Sequence, residues 1–192
     1  MTKQRMRLAA GLLAFACAGG EKLARDSSAS DSPGVIATDT TGMTARFDGV
    51  GQLRVGMSIP ETVAALGGTV DTTQDLMPGS ACTYVRFSAL PPGALVMIWG
   101  DTVMRVDVDS ATVRTQWGTG VGSTAAEIRQ RHTSDDVRQE PHPYSAPFWH
   151  YMVVDSPGDT MHRIIFETDS QQVARSYRVG FRRAVDLIEG CS

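Results

Sequence analysis

The sequence predicts an α+β fold in which two tandem units, each a helix followed by antiparallel strands, form one continuous sheet with the helices on one face. Two internal repeats support this prediction. Residues 55–63, VGMSIPETV, return in altered form as VGSTAAEI at residues 121–128, and residues 100–108, GDTVMRVDV, return as GDTMHRIIF at residues 158–166. A fixed order of repeated phrases is the sequence pattern expected of a duplicated structural element.

The first repeated phrase predicts the beginning of a helix. Ser58 and Thr124 can each act as an N-cap, and Glu61 and Glu127 follow three residues later, where their carboxylates can complete a capping box. The apolar stretch after each cap spans only about nine residues, and a helix of that length is marginal in isolation. Each helix must therefore pack on a sheet, and both glutamates are predicted to be structural.

The second repeated phrase predicts a β-hairpin in each unit. Residues 94–108 give strand, Gly-Asp turn and strand, and residues 148–166 give the same pattern with a longer turn. Further strands are predicted at residues 82–88, 113–117, 137–140 and 173–181. We place the first unit at residues 44–110 and the second at residues 111–192.

The stretch Gly56–Gly67 reads Gly-Met-Ser-x-x-Glu-x-Val-x-x-Leu-Gly. It resembles the helix opening of SmpA/OmlA-type outer-membrane lipoproteins and of the β-lactamase-inhibitor-protein-like (BLIP-like) superfamily, and the resemblance extends over Thr44–Ser192. It implies tandem helix-plus-sheet units and an envelope lipoprotein. The inhibitor proteins keep a disulfide within each repeat, whereas Cys82 has no counterpart in the second unit. We therefore do not expect this chain to inhibit β-lactamase.

The first 16 residues have the features of a signal peptide: three basic residues, an apolar stretch at residues 8–15, and a small-x-small cleavage signal at residues 14–16. Cys17 follows the expected cleavage position, as in bacterial lipoprotein signals, so we predict that it is lipidated. Ala14 stands where such signals usually have Leu. Ordinary cleavage and an uncleaved anchor therefore remain as alternatives.

Residues 17–43 are predicted to be the lipidated cysteine and a flexible tether, because they are rich in small and polar residues with few large apolar ones. Ala18 after the cysteine favours the outer membrane, facing the periplasm. Removing the leader leaves 15 Lys and Arg against 21 Asp and Glu, a formal charge of −6. This balance argues against nucleic acid as a partner, since phosphate recognition needs clustered positive charge.

With Cys17 lipidated, Cys82 and Cys191 are the two remaining cysteines. In an exported chain they are predicted to form a disulfide. Two buried, reduced thiols are the alternative.

We predict a protein-binding surface on the sheet face away from the helices. In the first hairpin, Leu95, Met97 and Trp99 are expected to share the helix-facing side with Met104, Val106 and Val108. The opposite, open face is expected to combine aromatic, arginine and aliphatic side chains, a composition typical of interfaces. Its predicted partner-binding residues are Ile98, Arg105, Trp149, Tyr151, Met161, Arg163 and Ile165. A one-residue register shift would invert these faces, and the loop at residues 141–147 could instead cover them.

The sequence indicates no catalytic residues, no metal site and no cofactor. The four histidines lack the spacing of metal ligands, and no nucleophile elbow is present. We therefore expect a non-catalytic envelope lipoprotein that binds a protein partner. The alternative is an exported enzyme or small-ligand binder with a site between the two units that uses His150, His162 or Arg163.

Overall fold

The computed structural model describes residues 43–72 and 81–191. The signal peptide, Cys17 and the tether up to residue 42 lie outside the described residues. In chain order, the elements are β1 (Thr44–Arg46), β2 (Gly49–Val50), β3 (Leu53–Arg54), α1 (Ile59–Leu66), β4 (Val70–Thr72), β5 (Cys82–Phe87), β6 (Ala94–Trp99), β7 (Thr102–Val108), β8 (Arg114–Thr115), α2 (Ala125–Arg131), β9 (Asp136–Pro141), β10 (His150–Asp155), β11 (His162–Thr168), β12 (Ala174–Phe181) and α3 (Arg182–Val185).

The predicted fold class is wrong, because the described residues form two sheets and are mainly β. A four-stranded sheet has the order β3-β2-β1-β8, and an eight-stranded sheet has the order β4-β5-β6-β7-β12-β11-β10-β9. The three helices have only eight, seven and four residues. In the small sheet, β8 lies within the strand predicted at residues 113–117, but β1, β2 and β3 were not predicted, because strands of two or three residues are too short for an alternating pattern to show. Within the described ranges, no helix has the length and apolar character needed to cross a bilayer.

Both predicted capping boxes are confirmed. The Ser58 and Thr124 backbone N–H groups donate to the carboxylates of Glu61 and Glu127 at 2.8 and 2.7 Å. The hydroxyls of the two caps accept in return from the glutamate backbone N–H groups. These backbone hydrogen bonds hold the pKa of both carboxyls below the usual value. The helices therefore begin where the repeated phrase predicts, although they are minor elements of the fold.

The main core lies between one face of the eight-stranded sheet and the layer formed by α1, α2 and the four-stranded sheet. It combines strand residues such as Val96, Ile98, Val106 and Phe166 with helix and small-sheet residues such as Ile128. The second hairpin follows the predicted alternation: Met152, Ile164 and Phe166 lie in this core, while Tyr151, Val153 and Ile165 form a separate cluster on the other face.

The faces predicted for β6 are inverted. The turn between β6 and β7 has two residues, as expected, but Met97 pairs with Arg105 and Ile98 pairs with Val103. Met104 is therefore an extra residue in β7, a β-bulge, and it shifts the pairing by one position. As a result Val96 and Ile98 face the main core, whereas Leu95, Met97 and Met104 belong to the opposite face.

Candidate functional site

The second face of the eight-stranded sheet is covered rather than open. Residues Arg182–Cys191, which we call the C-terminal cover, comprise α3 and the segment that follows it. The predicted disulfide is present: Cys191 is bonded to Cys82 at the start of β5, with 5.3 Å between the Cα atoms. The cover packs on this face through Ala184, which joins Tyr84, Met97 and Met104, and through Val185, which joins the cluster of Tyr151.

Two buried arginines hold the main chain of the cover. Arg105 in β7 donates to the carbonyl oxygens of Ala184 at 2.8 Å and Leu187 at 2.6 Å, and Arg178 in β12 donates to that of Val185 at 2.5 Å. Both arginines are only 4% exposed. Asp107 pairs with Arg105 and Glu167 with Arg178, so the charges beneath the cover are compensated. The predicted interface residue Arg105 is therefore occupied within the fold.

A second cluster of charges lies at the edge of the cover, around Asp155 at the end of β10. Its carboxylate accepts hydrogen bonds from Arg138 at 2.8 Å and from Arg163 at 3.0 Å, and it forms an ion pair with Arg182 at 2.9 Å. Arg163 also pairs with Asp186 of the cover. Partial burial raises the pKa of the Asp155 carboxyl, but the hydrogen bonds from Arg163 and Arg138 outweigh it and leave the pKa below its usual value. The ionised carboxylate thus ties three strands and the cover together.

Most of the predicted partner-binding residues are not available to a partner. Tyr151, Ile165 and Arg105 are buried beneath the cover, and Ile98 is fully buried in the main core on the other face. Arg163 is bound to Asp155 and Asp186 with a side chain only 15% exposed. Trp149 is half-buried and Met161 is exposed. The expectation for Ile98 fails because of the bulge at Met104, whereas the other buried residues share the predicted face.

Four other exposed apolar residues lie on the cover or are connected to it. Leu187 and Ile188 belong to the cover, Tyr144 bonds to Glu189 of the cover at 2.7 Å, and Trp99 pairs with Cys82 next to the disulfide. We call Trp99, Tyr144, Leu187 and Ile188 the cover surface. The sequence contained a partial signal for it, since Leu187 and Ile188 form an apolar pair between Asp186 and Glu189 in an otherwise polar segment.

A buried hydrogen-bonded series near α2 has the residue types of a catalytic triad. Asp135 contacts His132 Nδ1 at 3.0 Å, and His132 Nε2 contacts the Thr119 hydroxyl at 3.0 Å, which in turn contacts Thr115 at 2.7 Å. Thr119 and His132 are each 1% exposed, however, so a substrate cannot reach the hydroxyl in this conformation. We interpret the series as a polar network that fixes the end of α2.

This network predicts that stability decreases on mild acidification. Burial lowers the pKa of His132 in the folded protein, so the unfolded chain, with a histidine pKa of about 6.5, takes up the proton more readily. The contribution of His132 is complete above that pH and is lost as pH falls through the folded pKa, by at most about 1.4 kcal/mol per pH unit. Urea denaturation between about pH 7.5 and 5 measures this slope.

His132→Gln should flatten the slope of stability against pH, while His142→Gln, which replaces a histidine outside the core, should leave it unchanged. An unchanged slope in His132→Gln would assign the pH dependence to other groups.

The histidines proposed for an enzymatic alternative are not neighbours. His150 pairs with Thr168 at one end of the β10–β11 hairpin. His162 lies six residues before Thr168 in the same strand, which places it about 20 Å from that end at the strand rise of roughly 3.4 Å per residue. His162 is held by Asp159 at 2.9 Å and stacks on Phe181. Over residues 43–72 and 81–191, no group of three or more metal-ligating side chains is present.

A cavity of about 710 Å³ lies beside the edge strand β4 and the β5–β6 loop. Its apolar lining includes Met43, Phe87 and Leu90, and its polar lining includes Asp71 and Arg86. It is remote in sequence from His150, His162 and Arg163. The structure therefore does not bring the residues of the enzymatic alternative into this cavity.

Comparisons with known proteins give one distant structural similarity. The chain is similar to the uncharacterized protein yfeY from Escherichia coli, with 10% sequence identity and a TM-score of 0.46, over 71% of this chain and 99% of that one. No protein-family model matches the chain, and no curated protein matches it.

Proposed function

We propose that this protein is a bacterial envelope lipoprotein that binds a protein partner without catalysing a reaction. In this proposal Cys17 carries the lipid, residues 18–42 form the tether, and the folded domain faces the periplasm from the outer membrane. The leader and the cysteine after it support the location. The Cys82–Cys191 disulfide is consistent with a chain that folds in an oxidising compartment.

The cover surface is the observation on which the binding function depends. Trp99 is 45% exposed, Tyr144 67%, Leu187 38% and Ile188 37%, and the cover links all four. Grouped exposure of large apolar side chains is typical of interaction sites, and aromatic residues contribute strongly to binding energy. The cover is itself fixed by the disulfide and by the two buried arginines, so the surface is presented in a defined shape and its ordering cost on binding is small.

Site-specific photo-crosslinking in native envelopes tests this function. A photoreactive amino acid at position 187 is expected to give a discrete protein adduct, because Leu187 lies within the proposed interface. Val70 is the matched control, since it is a similarly exposed apolar residue, at 40%, on the edge strand β4. Gel mobility and mass spectrometry identify the adduct.

Trp99→Ser should reduce the adduct at position 187 severalfold, and Cys17→Ser should remove the protein from the membrane fraction. The interface proposal fails if positions 70 and 187 give the same adducts, or if position 187 gives none. Retention of Cys17→Ser on the membrane would contradict the lipid anchor alone.

A further inference from the structure

Two arginines that form no ion pair with the described residues line one small cavity between β8 and α2. Residues 43–72 and 81–191 contain no lysine, so arginine supplies the strong cations of the described domain. Most of these arginines pair with a carboxylate: Arg46, Arg54, Arg105, Arg138, Arg163, Arg175, Arg178 and Arg182. Arg114 and Arg131 form no ion pair with the described residues, and both line the same cavity of about 150 Å³.

The walls of this cavity are built from fixed polar groups. Arg114 donates to the Ser123 hydroxyl at 3.3 Å, and the guanidinium of Arg131 lies over Gly118, where a Cβ would be only 3.7 Å from Nη1. Thr119 also lines the cavity and is held by the buried His132. Guanidinium groups present several N–H donors in a planar fork that suits carboxylate and phosphate oxygens. Most donors of these two groups remain available.

The charge of the cavity favours an anion. Glu127 is the acidic residue in its lining, and its carboxylate is bound by the Thr124 backbone N–H at 2.7 Å and hydroxyl at 3.1 Å. Arg131 and Arg114 also attract this carboxylate and help to lower its pKa, but neither forms an ion pair with it. Two guanidiniums and one carboxylate leave a net positive charge. A bound anion would give Arg114 and Arg131 the direct contacts that Glu127 does not make.

The position and the volume of the cavity limit the ligand. Arg114 in β8 pairs with Thr44 in β1, directly after Met43, where the described domain connects toward Cys17. The cavity volume of about 150 Å³ is well above the minimum that holds one water molecule, so there is room for a tetrahedral oxyanion.

We propose that this cavity binds a phosphate group through Arg114 and Arg131, and that an anionic lipid headgroup of the anchoring membrane supplies it. The second half rests on the proposed anchor at Cys17, because the tether keeps the domain at high local concentration near headgroups. Free phosphate presents the same chemistry, so the experiment has one arm for each source.

The first arm titrates inorganic phosphate into the full chain carrying Cys17→Ser, which removes the lipid attachment. We expect saturable NMR shifts of the Arg114 and Arg131 side-chain N–H signals. Arg114→Gln with Arg131→Gln should abolish binding. Arg86→Gln with Arg129→Gln is the matched control, because it removes the same net charge from two other exposed positions and should leave binding unchanged.

The second arm measures co-sedimentation of the same proteins with vesicles of phosphatidylglycerol or of phosphatidylcholine. Arg131→Gln alone should lower the affinity for phosphatidylglycerol vesicles about fivefold, since one basic residue near an anionic surface contributes that factor. The single variant guards against misfolding, because Arg131 is an exposed residue in the last turn of α2. The control double variant, Arg86→Gln with Arg129→Gln, should bind phosphatidylglycerol vesicles more tightly than the double variant Arg114→Gln with Arg131→Gln.

Suppose that phosphate binding is saturable but the two double variants have equal affinities for the vesicles. This result would overturn the proposal that a lipid headgroup supplies the phosphate and would identify free phosphate as the ligand. If phosphate causes no saturable NMR shifts and the two double variants bind vesicles equally, the proposed site is overturned. Neither result bears on partner binding, because Arg114 lies in the small sheet and the cover surface lies on the other side of the large sheet. Adducts at position 187 should persist in the arginine variants.

Discussion

Replacement of Cys82 and Cys191 by Ser is expected to lower the free energy of unfolding by about 4 to 5 kcal/mol. The two cysteines are 109 residues apart in sequence, and crosslinking so long a loop restricts the unfolded chain strongly. The native state also loses the attachment of the C-terminal cover at β5. Urea denaturation followed by tryptophan fluorescence measures the difference between the double variant and the oxidised protein.

Reduction of the unchanged protein with dithiothreitol is the control for the two substitutions, since it breaks the same bond and keeps both side chains. The two treatments should give similar losses. A loss below about 1 kcal/mol in both would show that Arg105 and Arg178 hold the cover without help from the disulfide.

Asp155→Asn is expected to lower the free energy of unfolding by about 3 kcal/mol. The substitution keeps the shape of the side chain but removes the charge that compensates Arg138, Arg163 and Arg182. Asp155 is only 8% exposed, so water replaces the lost interaction poorly. Urea denaturation at neutral pH measures the change.

Asp136→Asn is the matched control for the Asp155 cluster. Asp136 also pairs with Arg138, but its side chain is 64% exposed, and an exposed ion pair contributes at most about 1 kcal/mol. Equal losses in the two variants would mean that the Asp155 cluster behaves as an ordinary surface pair.

Local patterns in the sequence predicted the features that depend on neighbouring residues. The two capping boxes need only residues three apart, and the β10–β11 hairpin follows its own alternation. The disulfide followed from the number of cysteines and the expected compartment. These predictions did not require knowledge of how distant segments pack.

Features that depend on distant segments were missed. The pairing of β1 with β8 joins residues about 70 positions apart, and the strands β1, β2 and β3 are too short to carry a readable pattern. The cover was missed because Arg105 was predicted to lie on an open face, whereas one of its partners is the carbonyl oxygen of Ala184 in the cover, 79 residues away. Tyr151 and Ile165 lie on the predicted face of the sheet, but that face was predicted to be exposed and both residues are buried.

The bulge at Met104 also has a consequence for natural variation of this fold. Met104 is the residue of β7 that has no partner in β6, so its loss would restore one-to-one pairing and leave Val96 and Ile98 facing the main core. A single-residue deletion at this point is therefore compatible with the pairing of β6 and β7, and what it removes is the Met104 side chain from the cluster beneath the cover. Homologous chains with a gap at position 104 would keep the same inward positions in both strands.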